Sequence, residues 1–593
     1  MKRIIALFFV GVLSQAAPPA RGSKIAKDLE DTTNGNPGSS VRVIVQWKTP
    51  VDDVKEQKIL SRGGLVHARM NSVKGGLYTL SAPAVHDLEN DPDVAYITLD
   101  RPIKSKLDNS AAAVNASAAW NLKLDGTGIG IAVIDSGMIQ SDDLTLKNNI
   151  VYNQDFTGKI KAGGNVKDTN NAPDLYGHGQ HVAGIIASSG HSSTCGNCTR
   201  ILKGIAPGVN IINLRALDEN GQGTDSTVIA AIEKAIALKS TYNIRVINLS
   251  LGRPVYESYK QDPLCQAVEQ AWKAGIVVVV AAGNDGRDNR FGEQGYGTIN
   301  APGNDPYVIT VGAMKTEGTP TRTDDLIASY SSKGPSQIDH VVKPDLVAPG
   351  NQVVSLRASD KATLVVENPS NAVTMSYYQD PNNHGRSDKY FTLSGTSMAT
   401  PVVSGAAADL LQKNPNLTPD QVKLLLMQSA YKTFPASSTV TDSTGTYISY
   451  YDIFTVGAGY LDIAAALSSV NSVPAGATAM SPVANYDSTT GKVTLSHDSS
   501  SIWANQSLWA SQLLWASQSI WPTSVLSGNQ CIWPTQSIWG AATVSGSQSL
   551  WASQSLWGAQ SIWGAQSIWD TQSLWAASQD SLSATDVSIA GEP

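Results

Sequence analysis

Cysteine is scarce in this chain: four residues in 593, too few for a disulfide scaffold. Charge is thin as well. Only 16% of the residues are Asp, Glu, Lys or Arg, and their balance of −7 argues against the polyanion of a nucleic acid as partner. Long apolar runs are also missing. Residues 4–13 are too few to span a bilayer, and the run 276–282 is strand-length. What the chain does have is 41% hydrophobic residues, enough for a large core, and a length that points to roughly two to four units.

The first 16 residues follow the pattern of a secretory signal. Lys2 and Arg3 precede the apolar stretch, and Ser14-Gln15-Ala16 forms a small-x-small cleavage site. A secreted, soluble protein is expected. Beyond a Gly/Pro/Ser-rich joint, residues 41–103 show strand alternation and short helical patterns in the order β-α-β-β-α-β, a small ferredoxin-like α+β unit. His67 and His86 have no clustered partners and are read as ordinary polar residues. Residues 104–120, rich in Lys, Asn, Ser and Ala, read as a linker open to proteolysis.

Within a unit expected over 118–467, short Val/Ile runs alternate with helical segments from residue 128 to about 467, the pattern of an α/β doubly wound parallel sheet covered on both faces. Strands are predicted over 129–134, 210–214, 245–249, 276–281 and 308–311, and helices over 178–187, 226–238, 263–274 and 400–412. Ligands gather at the carboxyl ends of such strands, where Asp135, Ser250 and Asn284 stand. The polar stretch 357–390 reads as a surface insertion.

Ser397 lies in a Gly-Thr-Ser turn before a small-residue helical pattern, in which Gly405, Ala406, Ala407 and Ala408 permit close packing. Ser397 or Thr396 there can be no more than a helix cap. Two further turns shift the balance: IAVIDSG with Asp135 and YGHGQHVAG with His178. A serine hydroxyl is a weak nucleophile; it needs an imidazole base, and the imidazole needs a carboxylate that holds its tautomer.

These three motifs, in the order Asp, His, Ser, resemble those of the subtilisin-like serine peptidases (subtilases), over residues 41–467. The resemblance implies a serine endopeptidase with Asp135 orienting His178, His178 as general base and acid, and Ser397 as nucleophile. It makes Asn284 the oxyanion-hole donor, beside the Ser397 N–H, and leaves His181 a packing residue. It implies that Gly221 and Gly223 pair with an extended peptide substrate, that Ser250, Leu251 and Gly252 form the opposite wall, and that Asp285 lies near the pocket rim. It also makes residues 41–103 an inhibitory propeptide, cut away between about 103 and 117, and 457–462 the close of the catalytic domain. No cofactor is required for the chemistry.

The chain departs from the family at two places. Gln180 stands where Thr is common, touching the turn and not the base. The loop SSGHSSTCGNCTR is unlike the family's calcium-binding loop, so structural calcium has no assigned site. Cys195, Cys198 and His191 are too few ligands for a closed zinc site and suggest a local disulfide or free thiols. Cys265 reads as a buried apolar residue.

From 502 to 575 a hexad of the type Q-S-[LI]-W-[AG]-x recurs, with tryptophans at multiples of six. Six residues turn an α-helix by about 240° and build no single face, whereas on a strand every Trp shares one side. A β array is favoured over a helix. Self-association, binding to a cell surface or polysaccharide, and a disordered tail that is later removed are the three readings of this segment. A catalytically silent carrier for the tail is the rival to a peptidase, and the intact motifs argue against it. An acid-active serine-carboxyl peptidase would need a carboxylate where His178 stands.

Overall fold

The computed structural model describes residues 24–35, 38–70, 74–99, 107–145, 149–158, 171–288, 294–380, 382–442, 444–471, 476, 478–487, 492–496, 581–583 and 591–592. The expected signal at 1–16 and the tryptophan hexads at 502–575 lie outside them. The chain divides into two units, Met1–Ile103 and Lys104–Pro593.

The first unit contains α1 (Lys27–Gly35), β1 (Ser40–Trp47), α2 (Asp53–Leu60), β2 (Leu65–Met70), β3 (Gly75–Ser81), α3 (Ala82–Glu89) and β4 (Val94–Leu99). Its four strands form an antiparallel sheet in the order β2-β3-β1-β4. Period-two alternation along β1 turns Val41, Val43, Val45 and Trp47 into a core shared with Ile59, Val85 and Leu88. Asp52 caps α2 by accepting the Lys55 N–H at 2.9 Å. His67 bonds Thr79 at 2.8 Å and His86 bonds Thr33 at 3.0 Å, ordinary polar contacts both.

In the second unit, residues expected to be a linker fold instead into α4 (Leu107–Ala113) and α5 (Ser117–Asn121). The alanines that make the stretch look featureless are good helix formers. Ala113, Val114, Ala116 and Ala119 are buried in the main core, and the Val114 carbonyl accepts the Ile463 N–H at 2.9 Å.

The chain continues through β5 (Gly130–Asp135), α6 (Asp142–Thr145), β6 (Ile150–Asp155), α7 (His178–Ala187), β7 (Asn210–Arg215), β8 (Gln222–Thr224), α8 (Asp225–Tyr242), β9 (Ile244–Leu249), α9 (Pro263–Lys273), β10 (Val277–Ala281), β11 (Ile309–Lys315), β12 (Leu326–Ile327) and β13 (Leu346–Pro349). The large sheet runs β12-β11-β10-β9-β5-β7-β6, with β13 also on β11, and every pairing is parallel except that of β12. This is the doubly wound α/β fold. Helices α7 and α11 (Thr396–Lys413) pack against each other, α11 also against β9–β11, while α8 and α9 form another packed pair. The Val/Ile runs are continuous because both faces of these strands are covered.

Stretch 357–390 is exposed over much of its length, as expected of a surface insertion, but it is folded and partly buried. Strands β14 (Val353–Leu356), β15 (Ala372–Thr374) and β16 (Arg386–Leu393) form an antiparallel sheet, and α10 (Thr363–Glu367) lies between the first two in sequence. Tyr378 and Tyr390 are buried edge to face, and the Tyr390 hydroxyl donates to Asp143 at 3.0 Å. Aromatic burial pulls this polar segment inward.

After α11 come α12 (Pro419–Ser429), the hairpin β17 (Ser437–Asp442) and β18 (Gly445–Tyr450), α13 (Ile463–Ser468) and a second hairpin, β19 (Val483–Asp487) and β20 (Lys492–Ser496). The packed structure does not close at residue 467. Ala479 and Ala484 are buried with Phe454 and Met427. The buried Ser481 hydroxyl donates to Asp345 at 2.6 Å. Finally β21 (Ser581–Ser583) pairs antiparallel with β8.

Candidate active site

The strand order reverses about β5, which has β7 on one side and β9 on the other. A crevice outside the carboxyl ends is expected at such a switch point. Asp135 ends β5, Ser250 follows β9, and Asn284 follows β10 by three residues. Helices α7 and α11 begin at His178 and Thr396. Backbone topology thus brings together residues up to 262 positions apart, between Asp135 and Ser397.

Asp135 and His178 are paired. The Asp135 Oδ1 lies 2.8 Å from His178 Nδ1 and also accepts the Ser136 N–H at 2.7 Å. The carboxylate therefore selects the tautomer with Nδ1 protonated, and Nε2 is left without a hydrogen-bond partner. Burial opposes a charge on this ring, but the adjacent Asp135, helped by Asp174, outweighs it and holds the imidazole above its ordinary value. Gly179 has no room for a side chain: a Cβ would stand 2.3 Å from the Gly137 carbonyl.

Asp174, which the sequence reading did not single out, anchors the start of α7. The N-cap there is Gly177, which has no side chain to offer. Asp174 accepts N–H bonds from Gly177 at 2.7 Å and Gln180 at 2.8 Å, and the Ser136 hydroxyl at 2.9 Å. A carboxylate three residues before a glycine cap is the signal that would have found it. Gln180 touches the turn, as expected, and ties it down: its Oε1 accepts the Ile139 N–H at 2.9 Å.

His181 is fully buried, its Nε2 3.1 Å from both the Val353 and Phe391 carbonyls, on β14 and β16. Burial and the neighbouring His178 push its imidazole down to about 3. It is a neutral packing residue.

Helix α11 begins at Thr396, four residues earlier than expected, which places Ser397 inside its first turn. Neither Thr396 nor Ser397 caps the helix; the N-cap is Gly395, at φ 148°. A Cβ on Gly395 would approach Asn284 Nδ2 to 3.1 Å. The Asn284 Oδ1 is tied by the Thr396 N–H at 2.9 Å and its hydroxyl at 3.1 Å, which orients the amide beside the helix start. Every residue from Thr396 to Leu411 is buried. The close approach expected of the small residues is present: a Cβ on Gly405 would meet Ile205 at 2.6 Å.

Pro401 within α11 has no N–H, so the carbonyl of Ser397, four residues back, loses its helical partner. Ser250 replaces it, donating its hydroxyl to that carbonyl at 2.8 Å. In return the Ser397 hydroxyl donates to the Ser250 carbonyl at 3.1 Å. Ser250 is held in turn by the Asn248 amide at 3.0 Å. Leu251 and Gly252 follow, both buried. Gly221 turns the chain at φ 72° against the Tyr176 ring, and Gly223 lies in β8 where a Cβ would strike the Ala216 carbonyl at 2.6 Å. Asp285 is exposed.

Cys195 and Cys198 form a disulfide, and Cys265 is buried and free. Among the described residues no group of three or more His, Cys, Asp or Glu side chains is placed to hold a metal ion, and no helix is long and apolar enough to cross a membrane.

Comparison with known proteins gives this geometry a family. Residues 126–450 match the family model Peptidase_S8, described as the subtilase family. The chain is 35% identical to the serine protease AprX of Bacillus subtilis (strain 168) over 375 residues, 62% of this chain and 76% of that protein. It is 33% identical to the extracellular serine proteinase of Thermus sp. (strain Rt41A) over 389 residues, 62% of this chain and 74% of the relative. With subtilisin E of Bacillus subtilis it shares 29% identity over 440 residues, 73% of this chain and 92% of the relative. The chain belongs to the subtilase family of serine-type endopeptidases.

Proposed function

We propose that the protein is a secreted endopeptidase, made as a self-processing proenzyme, that cleaves protein substrates through an acyl-enzyme on Ser397. The observation that carries this reading is the buried Asp135–His178 pair at 2.8 Å, with the second ring nitrogen unpartnered. His178 Nε2 takes the Ser397 proton as Oγ bonds the substrate carbonyl carbon. The same proton passes to the leaving amine as the C–N bond breaks, and water, deprotonated by His178, then hydrolyses the ester. The Ser397 N–H at the start of α11 and the Asn284 amide hold the oxyanion.

An extended substrate adds to the β8 edge at Gly221 and Gly223, with Ser250, Leu251 and Gly252 as the facing wall. Backbone pairing tolerates many sequences. The unit at 41–103 serves as the inhibitory, ferredoxin-like propeptide and residues 1–16 as the export signal. Because α4 packs into the core through Ala111 and Ala113, the maturation cut belongs before this helix rather than anywhere up to 117. The catalytic domain takes in about 107–496 rather than 118–467, a reading supported by the burial of Ala113 and Ala484. The Trp hexads at 502–575 serve to anchor the enzyme to a surface, a polysaccharide or itself. The loop after α7 supplies no carboxylate of its own between Ser188 and Leu202, so it does not fit calcium.

The test is expression of Ser397→Ala beside the parent. The variant should accumulate as an unprocessed precursor and resist a serine-directed phosphonate, while the parent matures and is labelled. A folded parent that neither matures nor reacts would end this proposal.

A further inference from the structure

Glu592 lies far beyond the catalytic motifs in sequence, yet its side chain is 1% exposed. Its Oε1 accepts the Ser329 N–H at 2.8 Å and the Ser329 hydroxyl, and pairs with Arg287 Nη2 at 3.0 Å. Its Oε2 lies 3.4 Å from Lys315 Nζ. The backbone is gripped as well. The Glu592 N–H donates to Asn351 Oδ1 at 2.9 Å, and its carbonyl accepts from Asn351 Nδ2 at 2.9 Å and Gln352 Nε2 at 2.8 Å. A carboxylate leaves water only where cations and donors of this kind replace its hydration. Ser329 and Asn351 are about 1% exposed with Glu592 in place.

Gly591 is fitted as closely. It has φ 65°, and a Cβ would stand 2.5 Å from Gln352 Cγ and 2.6 Å from Ser394 Oγ, three residues before Ser397. Separately, Ser581–Ser583 pairs antiparallel with β8, Ser581 opposite Thr224, Leu582 opposite Gly223 and Ser583 opposite Gln222. Two described pieces of chain beyond the tryptophan hexads therefore lie one on the edge assigned to the substrate and the other on the loops at Asn351 and Ser394.

We propose that Arg287, Lys315, Ser329, Asn351 and Gln352 form a subsite for an acidic residue of an extended peptide. In this chain Glu592 fills it and Ser581–Ser583 occupies the β8 edge in cis, which holds the enzyme self-occluded. The occlusion rests on the reading of β8 as the substrate edge; the acidic subsite does not. An exposed strand edge is otherwise open to pairing with any chain, and a tethered occupant competes at high effective concentration.

The test uses the chain ending at Asp580 and the labelled peptide SLSATDVSIAGEP, residues 581–593. The peptide should bind saturably by fluorescence polarisation, and its Glu592→Gln and Gly591→Ala versions at least about tenfold more weakly. The shortened enzyme should hydrolyse a short chromogenic peptide with a KM about tenfold below that of the full chain and kcat unchanged, as when an occupied fraction is released. The free peptide should compete. In the full chain, Glu592→Gln should lower KM in the same direction, so the result does not hang on the truncation folding. Equal binding of the parent and Glu592→Gln peptides would overturn the acidic subsite. Binding without competition, or a KM indifferent to both changes, would overturn the self-occlusion. Absence of hydrolysis in both full and shortened chains would fall on the peptidase reading, with polarisation still deciding the subsite.

Discussion

His178 shows how one contact sets a chemical property. Asp135, 2.8 Å from its Nδ1, raises the ring above the ordinary histidine value against the opposing effect of burial. In the proposed role of general base His178 must be neutral, so kcat/KM should rise with pH through that raised value, on an acid limb displaced upward. The linkage has the opposite direction for stability. The charged ring stabilises the fold fully below the ordinary histidine value, and the contribution is lost as pH rises through the raised one. Asp135→Asn should lower kcat by about 10⁴-fold, the scale seen when a triad carboxylate is neutralised. It should also move the acid limb downward. A pH–rate profile of the variant that keeps the parent limb would separate Asp135 from His178. His181, three residues on, is held neutral by the same burial without a carboxylate. The two histidines of one motif differ only in what faces them.

At the scale of elements, α11 carries a defect that β9 repairs. Pro401 removes the partner of the Ser397 carbonyl, and Ser250, just past β9, supplies a hydroxyl in its place. Ser250→Ala should destabilise the fold by about 1–3 kcal/mol through an unsatisfied buried carbonyl and lower kcat by loosening the nucleophile turn. In a Pro401→Ala background the helix recovers its own N–H, and the same Ser250→Ala change should matter less. Thermal melts of the four proteins in this cycle check the coupling; additive effects would refute it. Strand and helix existence along this unit was legible because β-branched runs and small-residue stripes repeat at the proper periods. The start of α11 was misplaced because Pro401 argues locally against a helix already under way. The helices at 107–121 are not legible locally because their composition is small and polar, while their burial depends on partners distant in sequence.

The whole molecule is tied together where sequence boundaries are invisible. Asp345 is fully buried between Lys343 at 2.7 Å and Lys423 at 3.1 Å, and Ser481 completes its shell at 2.6 Å. Burial works against its charge, but the two lysines hold the carboxyl below its usual range. A chain ending at 475 lacks Ser481, Ala479 and Ala484, and should lose several kcal/mol, about 3–5 if the charge cluster is left open to collapse. A chain ending at 496 keeps them and should melt well above the chain ending at 475; both lack Glu592, so the difference reports residues 476–496 alone. Calorimetry of the two truncations checks where the catalytic unit closes; equal melting would restore the boundary at 467.

The sequence alone determined the doubly wound fold and the residues that stand at the carboxyl ends of its strands. Short-range signals suffice for these, since side-chain periodicity, turn chemistry and motif spacing are local properties. Asp174 as the anchor of α7, Ser250 as the substitute partner of Ser397, the enclosure of Asp345 and the seat of Glu592 were decided only by tertiary structure. Each concerns a buried polar group, whose cost or benefit depends on which distant donor or charge the fold brings within about 3 Å. No local pattern in the chain encodes that distance.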